Sequence, residues 1–162
     1  MIVIADTTPL NYLVLIQQQH LLPQLFGRVL IRPAVLEELQ DPEAPGPVRS
    51  RLAGAPPWLQ VQALHSQPDP ALNYLDSGER EAIALAEELK ADQILIDEIE
   101  ARQEAARRKL PFIGTLGVLR RAAQLDLIDL PSTLALLQQT SFYVAPDLIR
   151  SLLDEDAVRR KR

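Results

Sequence analysis

Four acidic residues stand at positions where carboxylates can do chemistry. Asp6 ends the apolar stretch MIVIAD, and Asp97 ends the apolar stretch QILID. Both stretches predict buried strands, and in parallel sheets ligands bind beyond the carboxyl ends of the strands. The two aspartates are therefore expected at one edge of a sheet. Taken singly, each also suits the N-cap of the helix that follows, which is the alternative interpretation.

Two glutamates complete this acidic set. Glu38 follows Val35 by three residues, which places it beside the apolar side of the helix predicted at AVLEEL. Glu79, in DSGEREAIALAEEL, precedes Ile83 by one helical turn and rises from the core-facing stripe. The alternatives are a solvated surface side chain for Glu38 and a capping box with Asp76 for Glu79.

If these four carboxylates converge, they need a cation. Carboxylates at close range raise one another's pKa unless a positive charge balances them. Their hard oxygen atoms suit Mg²⁺ or Mn²⁺. Zinc is disfavoured because the chain has no cysteine and only His20 and His65. A carboxylate cluster holding Mg²⁺ is a standard device for hydrolysing a phosphodiester, because the metal orients the phosphate and activates water.

Alternating strands and helices must position these residues. The predicted strands cover residues 1–6, 29–33, 58–64, 93–97 and 111–114, and the predicted helices cover about 9–18, the AVLEEL segment after Pro33, 77–90, 98–109, 115–124, 131–139 and 146–157. Thr8 is the candidate N-cap of the first helix, with Pro9 following it. Residues 41–57 contain five prolines and predict a loop, with or without one short helix. The strand at 58–64 is expected at an edge. The pattern predicts a mainly parallel sheet covered on both faces.

Length and composition favour one cytoplasmic, soluble domain. The 162 residues are 47% hydrophobic, enough for a sizeable core. The absence of cysteine excludes disulfides, thiolate metal sites and cysteine nucleophiles. No basic region precedes the first apolar stretch, which is too short to span a bilayer, so no membrane association is expected. The net charge of −5 argues against a general nucleic-acid coat protein.

A band of basic residues follows the acidic half of the chain. Arg102 lies on the helix just after Asp97, and Arg120 and Arg121 lie on the next helix. These side chains suit phosphate contacts near an acidic pocket, whereas the alternative is a solvated helix surface. Seven aromatic residues leave little material for an extended base-stacking platform.

The order of these motifs resembles the PIN-domain family. The matching segments are IADTTPL, AVLEEL, GEREAIALA and ILID, and the later PFIGTLGVLRRAAQLDLID resembles a PIN-like branch close to the VapC toxins. The resemblance covers about residues 1–140. Residues 141–162 are interpreted as a C-terminal helical extension and basic tail of the same domain.

This resemblance implies a three-layer α/β/α sandwich with a parallel sheet of four to five strands and an acidic pocket. It implies an Mg²⁺- or Mn²⁺-dependent endoribonuclease that cleaves RNA. VapC-like members are toxins, are neutralised by an antitoxin encoded beside them, and often form homodimers. By position, the catalytic metal ligands would be Asp6, Glu38, Glu79 and Asp97. Thr7 or Thr8 would supply the hydroxyl after the first aspartate, and Glu98 or Glu100 would assist through water.

Two departures from the family pattern support a different function. Glu79 stands where many PIN nucleases carry aspartate, and IDEIEARQ lacks the second aspartate that many toxins have soon after Asp97. The alternative is therefore a non-catalytic PIN-like module that binds nucleic acid or regulates a partner.

Overall fold

The protein, described over residues 1–162 by a computed structural model, is built around a five-stranded sheet in which all neighbouring strands are parallel. The strands are β1 (Val3–Ala5), β2 (Val29–Ile31), β3 (Leu59–Val61), β4 (Gln93–Leu95) and β5 (Phe112–Ile113). Their order is β3-β2-β1-β4-β5, so β3 lies at an edge as expected. The direction of strand addition reverses between β1 and β4, and Asp6 and Asp97 follow these two strands.

Nine α-helices connect and cover the strands. They are α1 (Thr7–Leu15), α2 (Leu21–Phe26), α3 (Pro33–Gln40), α4 (Gly46–Arg51), α5 (Ser77–Leu89), α6 (Ile99–Arg107), α7 (Thr115–Gln124), α8 (Leu130–Gln138) and α9 (Pro146–Arg160). One turn of 3₁₀-helix occupies Pro70–Leu72. None of these helices combines the length and apolar character needed to cross a membrane.

The alternation of side chains along β1 divides the core into two layers. Val3 and Ala5 point into a cluster shared with α1–α4 and α7–α9. Ile4 points to the opposite face, where it joins a smaller cluster formed mainly by α5 and α6. Successive residues of a strand face opposite sides, so one short strand contributes to both layers. The predicted three-layer α/β/α sandwich is confirmed.

The first helix differs from its prediction at both ends. It begins at Thr7, so Asp6 rather than Thr8 occupies the N-cap position, although its side chain makes no capping hydrogen bond. The Asp6 N–H donates to the Leu95 carbonyl at 3.0 Å, and this strand-like bond keeps the backbone extended up to Asp6. The helix ends at Leu15 and not near Gln18, because Gln17 adopts a φ of 59°.

Candidate active site

The cluster of acidic residues lies at the carboxyl edge of the sheet, beside the reversal between β1 and β4. Asp6 is only 4% exposed and Glu79 only 7% exposed. The crevice at such a reversal is the usual ligand site of parallel α/β sheets. Glu79 reaches it because α5, which carries Glu79 in its first turn, packs against β1.

Gly78 creates the space that the carboxylates share. A methyl group at position 78 would lie 2.9 Å from Asp6 Oδ1, 3.2 Å from Glu38 Oε1 and 3.7 Å from Asp76 Oδ1. Three carboxylates from three separate elements therefore face one small space above this glycine. The Thr7 hydroxyl donates a hydrogen bond of 2.5 Å to Glu38 Oε2, which orients the glutamate.

Replacing Gly78 with alanine is expected to displace the Asp6 and Glu38 carboxylates, and to weaken on the order of 10–100-fold any ligand binding that needs both of them. Gly→Ala within a helix otherwise favours folding by up to about 1 kcal/mol. Gly46→Ala is the matched control, since Gly46 is also at a helix start and a methyl there meets no atom within 4 Å. Binding of Mn²⁺ is measured for both variants by isothermal titration calorimetry, and an unchanged affinity in Gly78→Ala would show that this space is not a ligand site.

Burial and neighbouring negative charges raise the pKa values of Asp6 and Glu79, the two most enclosed acids of the cluster. Burial raises the pKa of Asp6 to about 7, and the nearby carboxylates of Asp76, Glu38 and Glu98 add to this, while the Thr7 backbone N–H opposes it. Burial likewise raises the pKa of Glu79 to about 7, with Asp76 and Asp6 as the next contributors.

No basic side chain forms an ion pair with Asp6, Glu38, Glu79 or Asp97. The charges that act on Asp6 and Glu79 are all negative, so the protein does not neutralise these two carboxylates. Near pH 7 the cluster favours either a proton or an added cation, since both relieve the repulsion between its carboxylates.

Asp97 is positioned by partners of its own. The Thr115 N–H donates to Oδ1 and the Thr115 hydroxyl donates to Oδ2, both at 2.7 Å. Gly114 allows this approach, because a methyl there would lie 2.7 Å from Oδ1. Burial raises the pKa of Asp97 above its ordinary value, although the Thr115 hydrogen bonds and the Arg102 charge oppose the rise.

A cavity of about 830 Å³ opens beside these residues. Its acidic end is lined by Asp97 and Glu98, and Thr7 and Thr8 also border it. Arg102 lies in the same wall, as its place on the helix after Asp97 predicted. Glu98 connects the cavity to the buried cluster, because its charge acts on both Asp6 and Glu79.

Asp76 is the acidic residue that the sequence interpretation left out of the site. Its Oδ1 accepts a 2.8 Å hydrogen bond from the Glu79 N–H, so it is the N-cap of α5. The same carboxylate faces the space above Gly78 and acts on both buried acids. The capping-box spacing was the available signal, and it showed the helix start without showing where the carboxylate points.

The predicted phosphate contacts are dispersed. Arg102 borders the acidic cavity, whereas Arg120 is held by Glu155 of α9 through two hydrogen bonds of 2.6 and 2.8 Å. Arg121 lines a different cavity beside α7. The nucleic-acid roles of Arg120 and Arg121 stay predictions.

Together, these observations describe a parallel α/β/α sandwich with buried acidic residues at the strand reversal. A family model described as a PIN domain (DUF3368) matches residues 2–157, and the chain therefore belongs to the PIN-domain family. Proteins of this family are generally nucleases and typically use divalent metal ions. No curated protein matches the chain.

Proposed function

We propose that this protein is a metal-dependent endoribonuclease that hydrolyses RNA phosphodiesters. The observation that carries the proposal is the buried, uncompensated negative charge at the strand reversal. Asp6 and Glu79 are almost fully enclosed, other carboxylates surround them, and no basic side chain forms an ion pair with either. Burying unpaired carboxylates costs stability, and a bound cation offsets that cost.

The donor set fits Mg²⁺ or Mn²⁺. Every candidate ligand supplies carboxylate oxygen, and no nitrogen or sulfur ligand adjoins the cluster. Asp6, Glu38, Glu79 and Asp97 would hold the ion, with Asp76 beside them. No three Asp, Glu or His side chains are grouped closely enough to hold a metal in the present conformation. When bound, the metal would polarise the scissile phosphate and lower the pKa of a water molecule.

The surrounding residues orient the site and bind substrate. Thr7 fixes Glu38 and Thr115 fixes Asp97, so two hydroxyl groups limit how the carboxylates rotate. Arg102 places a positive charge in the cavity wall next to Asp97, where it suits a phosphate of the RNA. Glu98 lines the same cavity and would accept a proton from a water molecule there.

The biological role that we propose is that of a cytoplasmic toxin in a toxin–antitoxin pair. This role rests on family membership and on the resemblance of PFIGTLGVLRRAAQLDLID to VapC-like sequences. Its partners would be RNA, a cognate antitoxin and a second copy of the chain in a homodimer.

The proposal is tested by incubating the purified protein with a panel of structured RNAs in Mg²⁺, Mn²⁺ or EDTA. Endonucleolytic products are expected with either metal and not with EDTA. Cleavage that persists in EDTA would refute the metal requirement. Absence of cleavage under every condition would refute the nuclease itself.

Two observations favour the alternative, a non-catalytic PIN-like module. Asp97 uses both carboxylate oxygens to accept hydrogen bonds from Thr115, and the acids are not gathered into a metal-binding group. A module of this kind would bind RNA without cutting it. Retained RNA binding, together with no cleavage in Mg²⁺ or Mn²⁺, would favour it over the enzyme.

A further inference from the structure

Four of the seven aromatic residues of the chain line the cavity beside Asp97. They are Tyr12, Phe112, Phe142 and Tyr143, which come from three separate parts of the sequence. The fold therefore concentrates at one place a residue type that is sparse in the chain as a whole.

Two of these aromatic residues support the cavity wall. Tyr12 and Phe142 pack edge to face, with ring centroids 5.0 Å apart. The Tyr12 hydroxyl is also hydrogen-bonded to the Ser141 hydroxyl at 2.7 Å. These contacts attach the segment between α8 and α9 to α1. The neighbouring Tyr143 is thereby held at the cavity rim.

The other two aromatic rings are available to a ligand. Tyr143 is 81% exposed and Phe112 is 38% exposed, yet both border the cavity. No hydrogen bond engages the Tyr143 side chain. Tyr143 is not part of the core, and it borders the cavity. Its ring can therefore stack on a planar group of a ligand.

The polar groups of the same cavity match a nucleotide. Arg102 lines the cavity, and its guanidinium group forms no ion pair with a carboxylate of the protein. Asn11 adds an amide that both donates and accepts hydrogen bonds. A cation for phosphate, an aromatic face for a base and an amide for a base edge thus lie around a volume of about 830 Å³.

We propose that this cavity binds one unpaired nucleobase of the RNA adjoining the scissile phosphate, with the base stacked on Tyr143. This inference rests on the proposed function and adds to it a base-binding subsite in which Tyr143 is the stacking residue. The bases of a duplex already stack on both faces, whereas an unpaired base can leave the strand and lie on an aromatic ring.

The test measures binding of fluorescent single-stranded oligoribonucleotides to the Asp6→Asn protein, in which cleavage is expected to be blocked. Tyr143→Ala on this background is expected to weaken binding by about 5- to 150-fold, as for loss of one base–aromatic stack. Tyr143→Phe keeps the ring and is expected to bind within about two-fold of its parent. Leu136→Ala is the control, because Leu136 is exposed on α8 away from the cavity.

Two further measurements locate the base. An oligoribonucleotide with one abasic position in the bound segment should bind the parent as weakly as the intact strand binds Tyr143→Ala. Tyr143→Ala should bind the abasic strand with the same affinity as the parent does. Fully paired RNA should bind both proteins equally, because it offers no free base.

Equal binding of the intact single strand by the parent and Tyr143→Ala would overturn the inference. It would also be overturned if Tyr143→Ala changed only self-association in analytical ultracentrifugation, since the rim would then be a contact between copies. These outcomes are separate from a failure of the proposed function. That failure appears as no RNA cleavage in Mg²⁺ or Mn²⁺, whatever residue occupies position 143.

Discussion

Replacing Asp6 with asparagine is expected to abolish metal-dependent RNA cleavage while the fold stays intact. Asparagine has nearly the same shape but carries no charge, so it binds a hard divalent cation far more weakly than a carboxylate does. The Asp6 backbone, which pairs with Leu95, is unaffected by this change. We expect the initial cleavage rate to fall by about 100-fold or more, measured in Mg²⁺ and in Mn²⁺.

The matched control is Asp154→Asn, which removes the same charge from an exposed aspartate of α9 that forms no ion pair. It should cleave RNA at the wild-type rate. Circular dichroism and thermal unfolding establish that both variants are folded. Normal cleavage by a folded Asp6→Asn protein would remove Asp6 from the site and with it the basis of the proposed function.

Asp97→Asn is expected to lose cleavage as well, but at an additional cost in stability. Asp97 accepts two hydrogen bonds from Thr115, and an amide group can accept only one of them well. Comparison of the two variants therefore separates the loss of a charge from the loss of a structural contact at the start of α7.

The sheet and its two strand-end aspartates could be predicted because their signals are local. The short runs IVIA and ILI are apolar, each ends at an aspartate, and a helix follows each of them. Once the strands are parallel and alternate with helices, their carboxyl ends share one edge. The positions of Asp6 and Asp97 follow from this geometry alone.

The remaining features depend on contacts between distant parts of the chain. Asp76 carries an ordinary capping signal, and only packing of α5 on β1 turns its carboxylate toward Asp6. Thr115 holds Asp97 across a separation of 18 residues. The aromatic cavity needs α1, β5 and the segment before α9 to meet. Neither the composition nor the hydrophobic periodicity of a sequence indicates which distant segments come into contact.

The second large expected effect is a fall in the free energy of unfolding as the pH rises. The metal-free protein is expected to lose about 2–3 kcal/mol of its free energy of unfolding between pH 5 and pH 8 through Asp6 alone. The pKa of Asp6 rises from 3.8 in a model peptide to about 7 in the fold, because the carboxyl is buried among other acids. Between these values the folded protein retains a proton that the unfolded chain has released, so raising the pH favours unfolding.

The Asp6→Asn variant removes this contribution, together with the part of the raised pKa of Glu79 that the Asp6 charge causes. Its neutral side chain does not titrate, so its stability should fall less steeply from pH 5 to pH 8, and it should be more stable than the wild type at pH 8. Asp154→Asn should follow the wild-type curve. Urea unfolding at each pH, with EDTA present, gives the required free energies.

At a pH where the carboxylates of the cluster are ionised, a divalent metal ion should restore the free energy of unfolding that is lost. At pH 8 a metal concentration about 100-fold above its dissociation constant stabilises the folded state by about 2.7 kcal/mol. At pH 5 protons compete for the carboxylates, so the same Mn²⁺ concentration should stabilise far less. Asp6→Asn should show little stabilisation at either pH. If it kept the steep pH dependence and the full response to Mn²⁺, the buried charge at the strand reversal would not be the metal site, even in a protein that cleaves RNA.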